Sequence, residues 1–246
     1  MRLQNKVAVI TGGSSGIGLA IARAFAQEAC TLVITGRQDE KLAAAAKELS
    51  AIPGAGKVVA LLSDVRDAAA VNGTFDEVRE RFGRIDILVN NAGISQRPMS
   101  VRETPIETWR EMIDINLSGV FLCTRVALPL MARGGTIVNN LSVAARQLFP
   151  NSSAYTAAKM GAYGLTLSLR EELKPLGIRV TALMAGATST DIWQQMMPDV
   201  SHAGMMSADS VALAVLYAVL LPPEANLSEL LMDPTAGAVG ARNTQE

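Results

Sequence analysis

A tyrosine and a lysine four positions apart, Tyr155 and Lys159, are the first candidates for chemistry in this sequence. That spacing places both side chains on one face of a helix. A tyrosine has an ordinary pKa of about 10, so it exchanges protons poorly at neutral pH. A nearby ammonium group favours the phenolate and is expected to lower that pKa. The pair can therefore act in acid–base catalysis, although an amphipathic helix can also contain this spacing by chance.

Two further polar residues, Ser142 and Asn116, precede this pair in the chain. Ser142 follows a predicted strand and lies 13 residues before Tyr155, which is the span from a strand end to the first turns of the next helix. Its hydroxyl could therefore meet the same substrate oxygen as the tyrosine. Asn116 lies in an otherwise apolar helical stretch, where an amide costs free energy unless it has hydrogen-bonding partners. These four residues form the predicted catalytic set.

A glycine-rich stretch near the N-terminus predicts a second kind of site. Residues 7–18 read VAVITGGSSGIG and precede apolar residues at helical spacing, so the pattern indicates a strand, a tight loop and a helix. Such a loop presents backbone N–H groups at the positive end of a helix dipole, which binds phosphate. Its G-x-x-x-G-x-G spacing differs from the general dinucleotide pattern, and an ordinary glycine-rich turn is the alternative. The residues predicted to contact a phosphate-bearing cofactor here are Gly12, Ser14, Ser15, Gly16, Ile17 and Gly18.

Strand and helix patterns alternate along the whole chain. Several strand candidates are nearly continuous apolar runs, as expected of parallel strands buried on both faces. The predicted strands are Val7–Ile10, Thr31–Thr35, Lys57–Leu62, Ile85–Val89, Thr136–Asn140, Arg179–Leu183 and Leu230–Met232. The predicted helices are Gly16–Glu28, Asp39–Ser50, Ala68–Phe82, Ile106–Ala132, Ser152–Leu173 and Ala208–Leu220. This order indicates one α/β domain over residues 1–246, a Rossmann-type doubly wound fold whose seven-stranded parallel sheet has helices on both faces.

Residues that follow predicted strands are the next candidates, because ligands of such a sheet bind at the carboxyl ends of its strands. After the second strand, Gly36 supplies no acid to hold a ribose 2′-hydroxyl, whereas Arg37 can pair with a 2′-phosphate. We interpret this as a preference for NADPH; the alternative is that Arg37 is a solvated loop charge. After the third strand, Asp64 and Val65 precede a helix that either Asp64 or Asp67 could cap.

Composition limits the remaining possibilities. A hydrophobic content of 49% allows a substantial core, and a net charge of −1 without a basic stripe argues against nucleic acid as a partner. The two cysteines, Cys30 and Cys123, lie in apolar segments and are expected to be buried thiols in a reducing compartment. The single histidine, His202, has no neighbours with which to bind a metal and is interpreted as a loop residue. Without a recognisable signal peptide or membrane-spanning run, the chain is expected to be cytoplasmic and to contact no membrane.

The order of these motifs resembles that of the short-chain dehydrogenase/reductase family over residues 6–190. Besides the catalytic candidates, the motifs that carry the resemblance are the glycine loop with Thr11 before it and the sequence N-N-A-G, which includes Asn91, Ala92 and Gly93, after the fourth strand. The resemblance implies that Asp64 contacts the adenine ring together with Val65. It also implies that the small residues after the fourth strand let NADP(H) lie close to the sheet.

The resemblance also implies roles for the catalytic candidates. The tyrosine donates a proton to a carbonyl oxygen that the serine hydroxyl also contacts, while the cofactor supplies the hydride. Lys159 lowers the pKa of Tyr155 and holds the nicotinamide ribose. Asn116 holds a water that links the lysine to bulk solvent. The expected activity is that of an NADP-dependent oxidoreductase acting on a ketone or secondary alcohol, similar to 3-oxoacyl-ACP reductases and related carbonyl reductases.

Two departures from the family pattern carry expectations of their own. The sequence Ala185-Gly186 replaces the usual Pro-Gly after the sixth strand, which predicts a looser loop facing the nicotinamide. In the family, the positions of Gly186, Thr188 and Thr190 contact the carboxamide and phosphates. The residues from 232 to 235, Met-Asp-Pro-Thr, replace the Gly-Gly turn that is common in oxoacyl reductases.

The region after this loop is expected to cover the substrate, and the chain is expected to self-associate. Residues 187–210 form the predicted lid, whose apolar members are Trp193, Met196, Met197, Met205 and Met206. A methionine-rich lid suggests an adaptable apolar surface, with simple helix packing as the alternative. Helices Ile106–Ala132 and Ser152–Leu173 are apolar beyond one stripe, and in the family they build a homotetramer. Residues 236–246 are a polar tail.

Two other functions stay open at this point. One is an NAD-dependent alcohol dehydrogenase of the same family, which applies if Arg37 is only a solvated charge. The other is a dinucleotide-binding regulator without turnover, whose sign would be a gap in the catalytic set. No such gap is visible, so catalysis is the favoured interpretation.

Overall fold

A seven-stranded parallel sheet forms the centre of the computed structural model, which describes residues 1–236. Its strands are β1 (Val7–Thr11), β2 (Thr31–Gly36), β3 (Val58–Leu62), β4 (Ile85–Asn90), β5 (Met131–Asn140), β6 (Arg179–Ala185) and β9 (Glu229–Met232), and a separate parallel pair consists of β7 (Thr188–Ser189) and β8 (Met206–Ser207). The sheet order is β3-β2-β1-β4-β5-β6-β9, so the chain reverses its direction of winding between β1 and β4. The predicted sheet is confirmed. The tail predicted at 236–246 lies, apart from its first residue, outside the described residues.

Helices cover both faces of this sheet, as the apolar strands predict. They are α1 (Gly16–Ala26), α2 (Asp39–Ser50), α3 (Ala68–Phe82), α4 (Ile106–Ile113), α5 (Gly119–Ala127), α6 (Ser153–Leu173), α7 (Ile192–Met196) and α8 (Ala208–Leu220). One core cluster joins α1, α2 and α8 to the sheet around the fully buried Phe25. A second cluster joins α3, α5 and α6 to the opposite face. The doubly wound arrangement is therefore confirmed.

The long helix predicted over Ile106–Ala132 is wrong in its continuity and its end. A π-helical turn, Asp114–Ser118, separates α4 from α5, and a 3-10 turn, Leu128–Leu130, follows α5. Pro129 has no N–H to continue an α-helix. The chain is already extended at Met131, which pairs with Ile85 of β4.

The same stretch qualifies the expectation that no run could span a membrane. By length and composition alone, residues 106–130 are long and apolar enough, with a mean hydropathy of 1.4 in the best window. That window is 39% buried in the fold. Because the core helix of a globular protein meets the same criteria, this is weak evidence for a membrane span.

A ladder of buried amides and hydroxyls fixes α5 and α6 against the middle of the sheet. The Nδ2 of Asn90 donates to Asn139 Oδ1 at 2.8 Å and to Thr124 Oγ1 at 2.9 Å. The Nδ2 of Asn139 in turn donates to Thr166 Oγ1 at 2.9 Å. Buried polar groups that are paired in this way hold neighbouring elements in one arrangement. The ladder thus sets α6 relative to the ends of β4 and β5.

Both cysteines are buried, as predicted. Cys30 lies between the sheet and α1, and Cys123 lies on the inner face of α5. Burial raises the pKa of each thiol to about 12. Since reactive cysteines need a lowered pKa and access to solvent, these two are structural residues.

Candidate active site

The glycine loop between β1 and α1 can exist only with glycine at several of its positions. Gly12 and Gly16 have φ angles of 63° and 53°, in the left-handed region. A Cβ at Gly18 would lie 2.3 Å from the carbonyl oxygen of Gly12 and equally close to the side chain of Asn91. Ser15 stands at the N-cap of α1, and its hydroxyl makes no capping hydrogen bond. The N-terminal turn of α1 thus faces the carboxyl edge of the sheet, as a phosphate site requires.

Hydrogen bonds from Asn91 tie this loop to the end of β4. Its backbone N–H donates to Thr11 Oγ1 at 2.9 Å, and its Nδ2 donates to the carbonyl oxygens of Thr11 and Gly12, both at 3.0 Å. The Nδ2 of Asn140 then donates to Asn91 Oδ1 at 2.8 Å. The side chain of Asn91, predicted as a cofactor contact, is therefore occupied in joining β1, β4 and β5.

The structure brings three of the four catalytic candidates to one wall. Ser142 follows β5 and stands at the N-cap of a 3-10 turn, Val143–Ala145, where its Oγ accepts from Ala144 N–H at 3.1 Å. Tyr155 lies in the first turn of α6, where its hydroxyl is near enough to the Ser142 side chain for the serine to affect the pKa of the tyrosine. Lys159 lies one turn later, and its Nζ donates to the carbonyl oxygen of Asn140 at 3.1 Å.

Burial shifts the acid–base properties of both titratable groups. Burial raises the pKa of Tyr155, and the nearby Ser142 side chain opposes this rise. Burial lowers the pKa of Lys159 to about 8. The expectation that the ammonium lowers the tyrosine pKa is therefore wrong for the protein by itself. The reason is geometric, since Nζ is bonded to a backbone carbonyl and lies 5.6 Å from the centre of the tyrosine ring.

The fourth candidate, Asn116, lies behind this wall in the π-helical turn. It is 1% exposed, and its amide makes a two-way contact with one residue of the loop after β4. Its Oδ1 accepts from Ile94 N–H at 3.2 Å, and its Nδ2 donates to the Ile94 carbonyl oxygen at 3.1 Å. The N–H and the carbonyl oxygen of Ile94 thus supply the hydrogen-bonding partners that this buried amide needs. Gly93 fits beneath it, because a Cβ there would lie 2.9 Å from Asn116 Oδ1.

Charged residues lie at the far end of the site, after β2 and β3. Arg37 is exposed and has no hydrogen bond or ion pair with any residue from 1 to 236. Asp64 forms an ion pair with Arg66 at 2.6 Å, and this partner lowers the pKa of the Asp64 carboxyl group. The helix cap is Asp67, whose carboxylate accepts from two N–H groups of α3. The alternative that Asp64 caps this helix is therefore wrong.

A single cavity of 610 Å³ joins the two ends. It runs from Arg37 past the glycine loop to Tyr155. Of the predicted site residues, Gly18 alone does not line it. Those that do are Gly12, Ser14, Ser15, Gly16, Ile17, Arg37, Asp64, Val65, Asn91, Ala92, Gly93, Asn116, Ser142, Tyr155, Lys159, Gly186, Thr188 and Thr190. Within residues 1–236, no group of three His, Cys, Asp or Glu residues could hold a metal ion.

Residues 6–201 match the family model described as short chain dehydrogenase. The chain belongs to the short-chain dehydrogenase family. This short-chain dehydrogenase is 35% identical over 246 residues to sulfoacetaldehyde reductase 2 of Chromohalobacter salexigens, with 96% of each chain covered. It is 38% identical over 198 residues to the 3-oxoacyl-(acyl-carrier-protein) reductase of Thermotoga maritima, which covers 80% of this chain and 79% of that protein. The solved alcohol dehydrogenase of the archaeon Thermococcus sibiricus, complexed with 5-hydroxy-NADP, matches at a TM-score of 0.87 and 32% identity over 94% of this chain and 97% of its own.

Several hydrogen bonds hold the loop after β6 in this short-chain dehydrogenase. The N–H of Gly186 donates to the Met232 carbonyl oxygen at 2.8 Å, and the Oγ1 of Thr188 donates back to the Gly186 carbonyl oxygen at 3.0 Å. The indole N–H of Trp193 donates to the Thr188 carbonyl oxygen at 2.8 Å. Thr190 lies over the glycine loop, with its Cγ2 3.3 Å from where a Cβ of Gly16 would be. These contacts connect the loop to β9 and α7, and its looseness without the proline stays a prediction.

The segment predicted as a lid divides into two parts. Trp193, Met196 and Met197 line the cavity. Met206 instead packs against the core cluster beside α1 and α8, so for it the alternative of simple packing holds. His202 is a loop residue, as predicted, and its Nδ1 lies 2.8 Å from Ser189 Oγ.

The sequence analysis of this short-chain dehydrogenase missed several site residues, of which four bear on the cofactor end or on the lysine. Thr11 and Asn140 carry the hydrogen bonds that join the loop, β4 and the lysine. Gln38 and Lys41 line the cavity beside Arg37. The position of Asn140 at a strand end was an available signal, because ligand-binding residues collect there. Lys41 gave no such signal, since a basic residue in the first turns of an exposed helix is ordinary.

Proposed function

We propose that this short-chain dehydrogenase uses NADPH to reduce the carbonyl group of an apolar ketone or 3-oxoacyl substrate. One observation carries the proposal. Ser142, Tyr155 and Lys159 converge on one wall of a cavity whose far end carries the unpaired guanidinium of Arg37. A proton donor and a site for a phosphate-bearing cofactor therefore share one space.

The residues of the far end fit an NADP(H) molecule. Gly12, Ser14 and Gly16 line the cavity, so the glycine loop faces the space that the cofactor would fill. Arg37 and Lys41 add two positive charges that suit a 2′-phosphate. The Thermococcus sibiricus relative, solved with 5-hydroxy-NADP, supports the same cofactor here. When bound, NADPH supplies the hydride.

Tyr155 is the proton donor in this proposal. Its raised pKa keeps the phenol protonated at neutral pH, which is the form that gives a proton to a carbonyl oxygen. Reduction uses this protonated form, whereas oxidation of an alcohol needs the phenolate. The phenol lines the cavity, where a bound substrate could accept this proton.

The other three residues prepare that transfer. The hydroxyl of Ser142 is 13 positions from the tyrosine in sequence, but both side chains line the same cavity, so both can meet one carbonyl oxygen and stabilise its developing charge. Lys159 holds the nicotinamide ribose and favours the phenolate that forms. Asn116 fixes the loop at Ile94 beside the lysine, and a water held there returns a proton to the relay.

The walls near the tyrosine favour an uncharged substrate. Trp193, Met196, Met197, Phe149 and Val143 line this side of the cavity. The basic residues that line it are Arg37, Lys41 and Lys159, and the first two lie after β2, at the opposite end. Since no cation among residues 1–236 other than the catalytic lysine lines this end of the cavity, an apolar carbonyl compound fits better than an anionic one.

The proposal extends to assembly and location. Trp109, Phe121, Met160 and Leu167 are between 36% and 50% exposed on α4, α5 and α6. Such large apolar side chains suit burial between subunits, so we expect a homotetramer in the cytoplasm. Sedimentation analysis that finds a monomer at micromolar concentration would contradict this assembly.

A panel of substrates with both coenzymes tests the proposed function. It should contain cyclic and linear ketones, 3-oxoacyl thioesters, short charged aldehydes and secondary alcohols. The expected result is oxidation of NADPH with apolar ketones or 3-oxoacyl thioesters, and slower turnover with charged aldehydes. Turnover only with NAD⁺ and alcohols would favour an NAD-dependent alcohol dehydrogenase. Tight coenzyme binding without turnover of any compound would favour a regulator.

A further inference from the structure

Glu229, the first residue of β9, touches both elements that carry the proposed catalytic residues. Its Oε1 accepts a hydrogen bond from the hydroxyl of Tyr163 at 2.5 Å. Its Oε2 forms an ion pair with the guanidinium of Arg146 at 2.9 Å. Tyr163 lies on α6, two turns after Tyr155 and one turn after Lys159. Arg146 directly follows the 3-10 turn that begins at Ser142.

We propose that Glu229 is a positioning residue that sets Ser142 against Tyr155 through these two contacts. This inference rests on the proposed function, because it assigns a role in the same proton transfer. One oxygen of the carboxylate contacts α6 and the other contacts the end of the Ser142 turn, so Glu229 fixes the distance between these two elements. Its own place is fixed by the sheet, since β9 pairs with β6 and Glu229 is in register with Ala182.

The packing beneath the two elements supports this role. A small cluster of buried residues, Leu141, Ala145, Ala162, Ala182 and Met184, joins the Ser142 turn, α6 and β6, and Tyr163 packs against it. Three of these five residues are alanines, so the cluster offers few large side chains that could set a spacing by shape. The spacing of the Ser142 turn from α6 therefore depends more on the polar contacts at the edge of this cluster than it would in a core of interlocking large side chains.

A second contact fixes α6 to the same end of β9, which strengthens the geometric argument. The guanidinium of Arg170 donates to the Ser228 carbonyl oxygen at 2.7 Å and to the Val180 carbonyl oxygen at 3.3 Å. The lower part of α6 is thus attached to β6 and to the start of β9 independently of Glu229. The 3-10 turn has Arg146 as its one ion-pair contact with β9 in the described part of the chain. Loss of Glu229 should therefore displace the Ser142 turn more than the helix.

The alternative is an ordinary surface ion pair. The side chains of Arg146 and Glu229 are 50% and 30% exposed, and exposed pairs add little to stability. The two interpretations differ in what they predict for catalysis and not in what they predict for stability. A positioning role lowers kcat and leaves coenzyme affinity unchanged, whereas a surface ion pair changes neither.

The experiment compares Glu229→Ala and Glu229→Gln with Glu171→Gln in the full-length protein. Glu171 is a matched control, because it lies in the last turn of α6, forms an exposed ion pair with Lys174 just after that helix, and lies outside the site. We expect Glu229→Ala to lower kcat about 10-fold, as small displacements of reacting groups do, with coenzyme Kd unchanged. Glu229→Gln keeps an acceptor for Tyr163 and should recover part of that loss. A kcat for Glu229→Ala equal to that of Glu171→Gln would overturn the proposal.

Two further measurements show whether Glu229 acts through Ser142. In a Ser142→Ala background, Glu229→Ala should lower kcat less than about 2-fold further, because residues that act as a unit are not additive. Multiplicative losses would overturn the proposal.

Hydrogen exchange at the Ala144 and Ala145 amides, which bond to Ser142, should be faster in Glu229→Ala than in Glu171→Gln. Unchanged exchange would also overturn it.

The exchange measurement needs no turnover, so it separates this inference from the proposed function. If the chain reduces no carbonyl compound, the proposed function fails. Faster exchange at the two amides would still support the positioning of the Ser142 turn by Glu229.

Discussion

The Nζ atom of Lys159 lies 5.6 Å from the centre of the Tyr155 ring, and its hydrogen bond goes to the backbone at Asn140 instead. The two side chains are close enough for their charges to interact, but the lysine ammonium group is held by the Asn140 carbonyl oxygen. Burial dominates in both groups, so the phenol is held protonated and the amine loses its proton more readily than in water. At neutral pH the phenol is therefore uncharged, while the amine still carries most of its positive charge and loses it as the pH rises through about 8.

A dependence of stability on pH follows from the buried lysine. The ordinary lysine pKa is 10.5, and that of Lys159 in the folded chain is about 8. Between these values the unfolded chain binds the proton and the folded chain does not, so the free energy of unfolding rises with pH across this window. In urea denaturation without coenzyme, the free energy of unfolding of the wild type minus that of Lys159→Met should rise from pH 8 to 10.5. A difference that stays flat or falls would contradict the burial of the amine.

Substitution of two glycines by alanine tests whether the cofactor loop requires glycine where an ordinary helix does not. A Cβ at Gly18 would meet backbone and side-chain atoms at 2.3 Å, whereas a Cβ at Gly73, within α3, has nothing within 4 Å. Gly18→Ala should lower the free energy of unfolding by about 1–3 kcal/mol and weaken coenzyme binding. Gly73→Ala should raise it by about 0.5–1 kcal/mol. Chemical denaturation measures both, and equal effects of the two substitutions would contradict the close approach of the loop to Asn91.

The choice of coenzyme should depend on Arg37. Arg37→Asp replaces the unpaired cation by an acid that repels a 2′-phosphate and can accept a bond from a 2′-hydroxyl. We expect the ratio of kcat/KM for NADPH to that for NADH to fall at least about 10-fold, the equivalent of 1.4 kcal/mol. Arg102→Asp, an exposed charge reversal that does not line the cavity, serves as the control. An unchanged ratio would show that Arg37 is a solvated loop charge.

The sheet was predictable because the composition of its strands indicates them directly. Runs such as VAVI and ILVN bury both faces, and glycine or asparagine follows them at the edge where ligands bind. The order of the motifs then predicted the catalytic residues, three of which the fold brings to one wall. What failed was the helix over Ile106–Ala132, because apolar composition does not reveal a π-helical turn.

The interactions that could not be predicted join residues far apart in sequence. Neither the direction of the lysine hydrogen bond nor the link between Arg146 and Glu229 has a local pattern, since 83 positions separate the latter two. The pKa of Tyr155 illustrates the consequence. Its direction depends on how deeply the pocket is desolvated, and sequence spacing alone suggested the opposite direction.

The most direct test of the account is turnover by the Tyr155→Phe variant. Phenylalanine keeps the ring and removes only the hydroxyl that donates the proton. With a ketone that the wild type reduces and saturating NADPH, kcat should fall at least about 10²-fold, while the Kd for NADPH stays the same. Tyr217→Phe, which changes a tyrosine that is 58% exposed on α8, should retain full activity. A Tyr155→Phe variant that turns over as fast as the wild type would contradict the account.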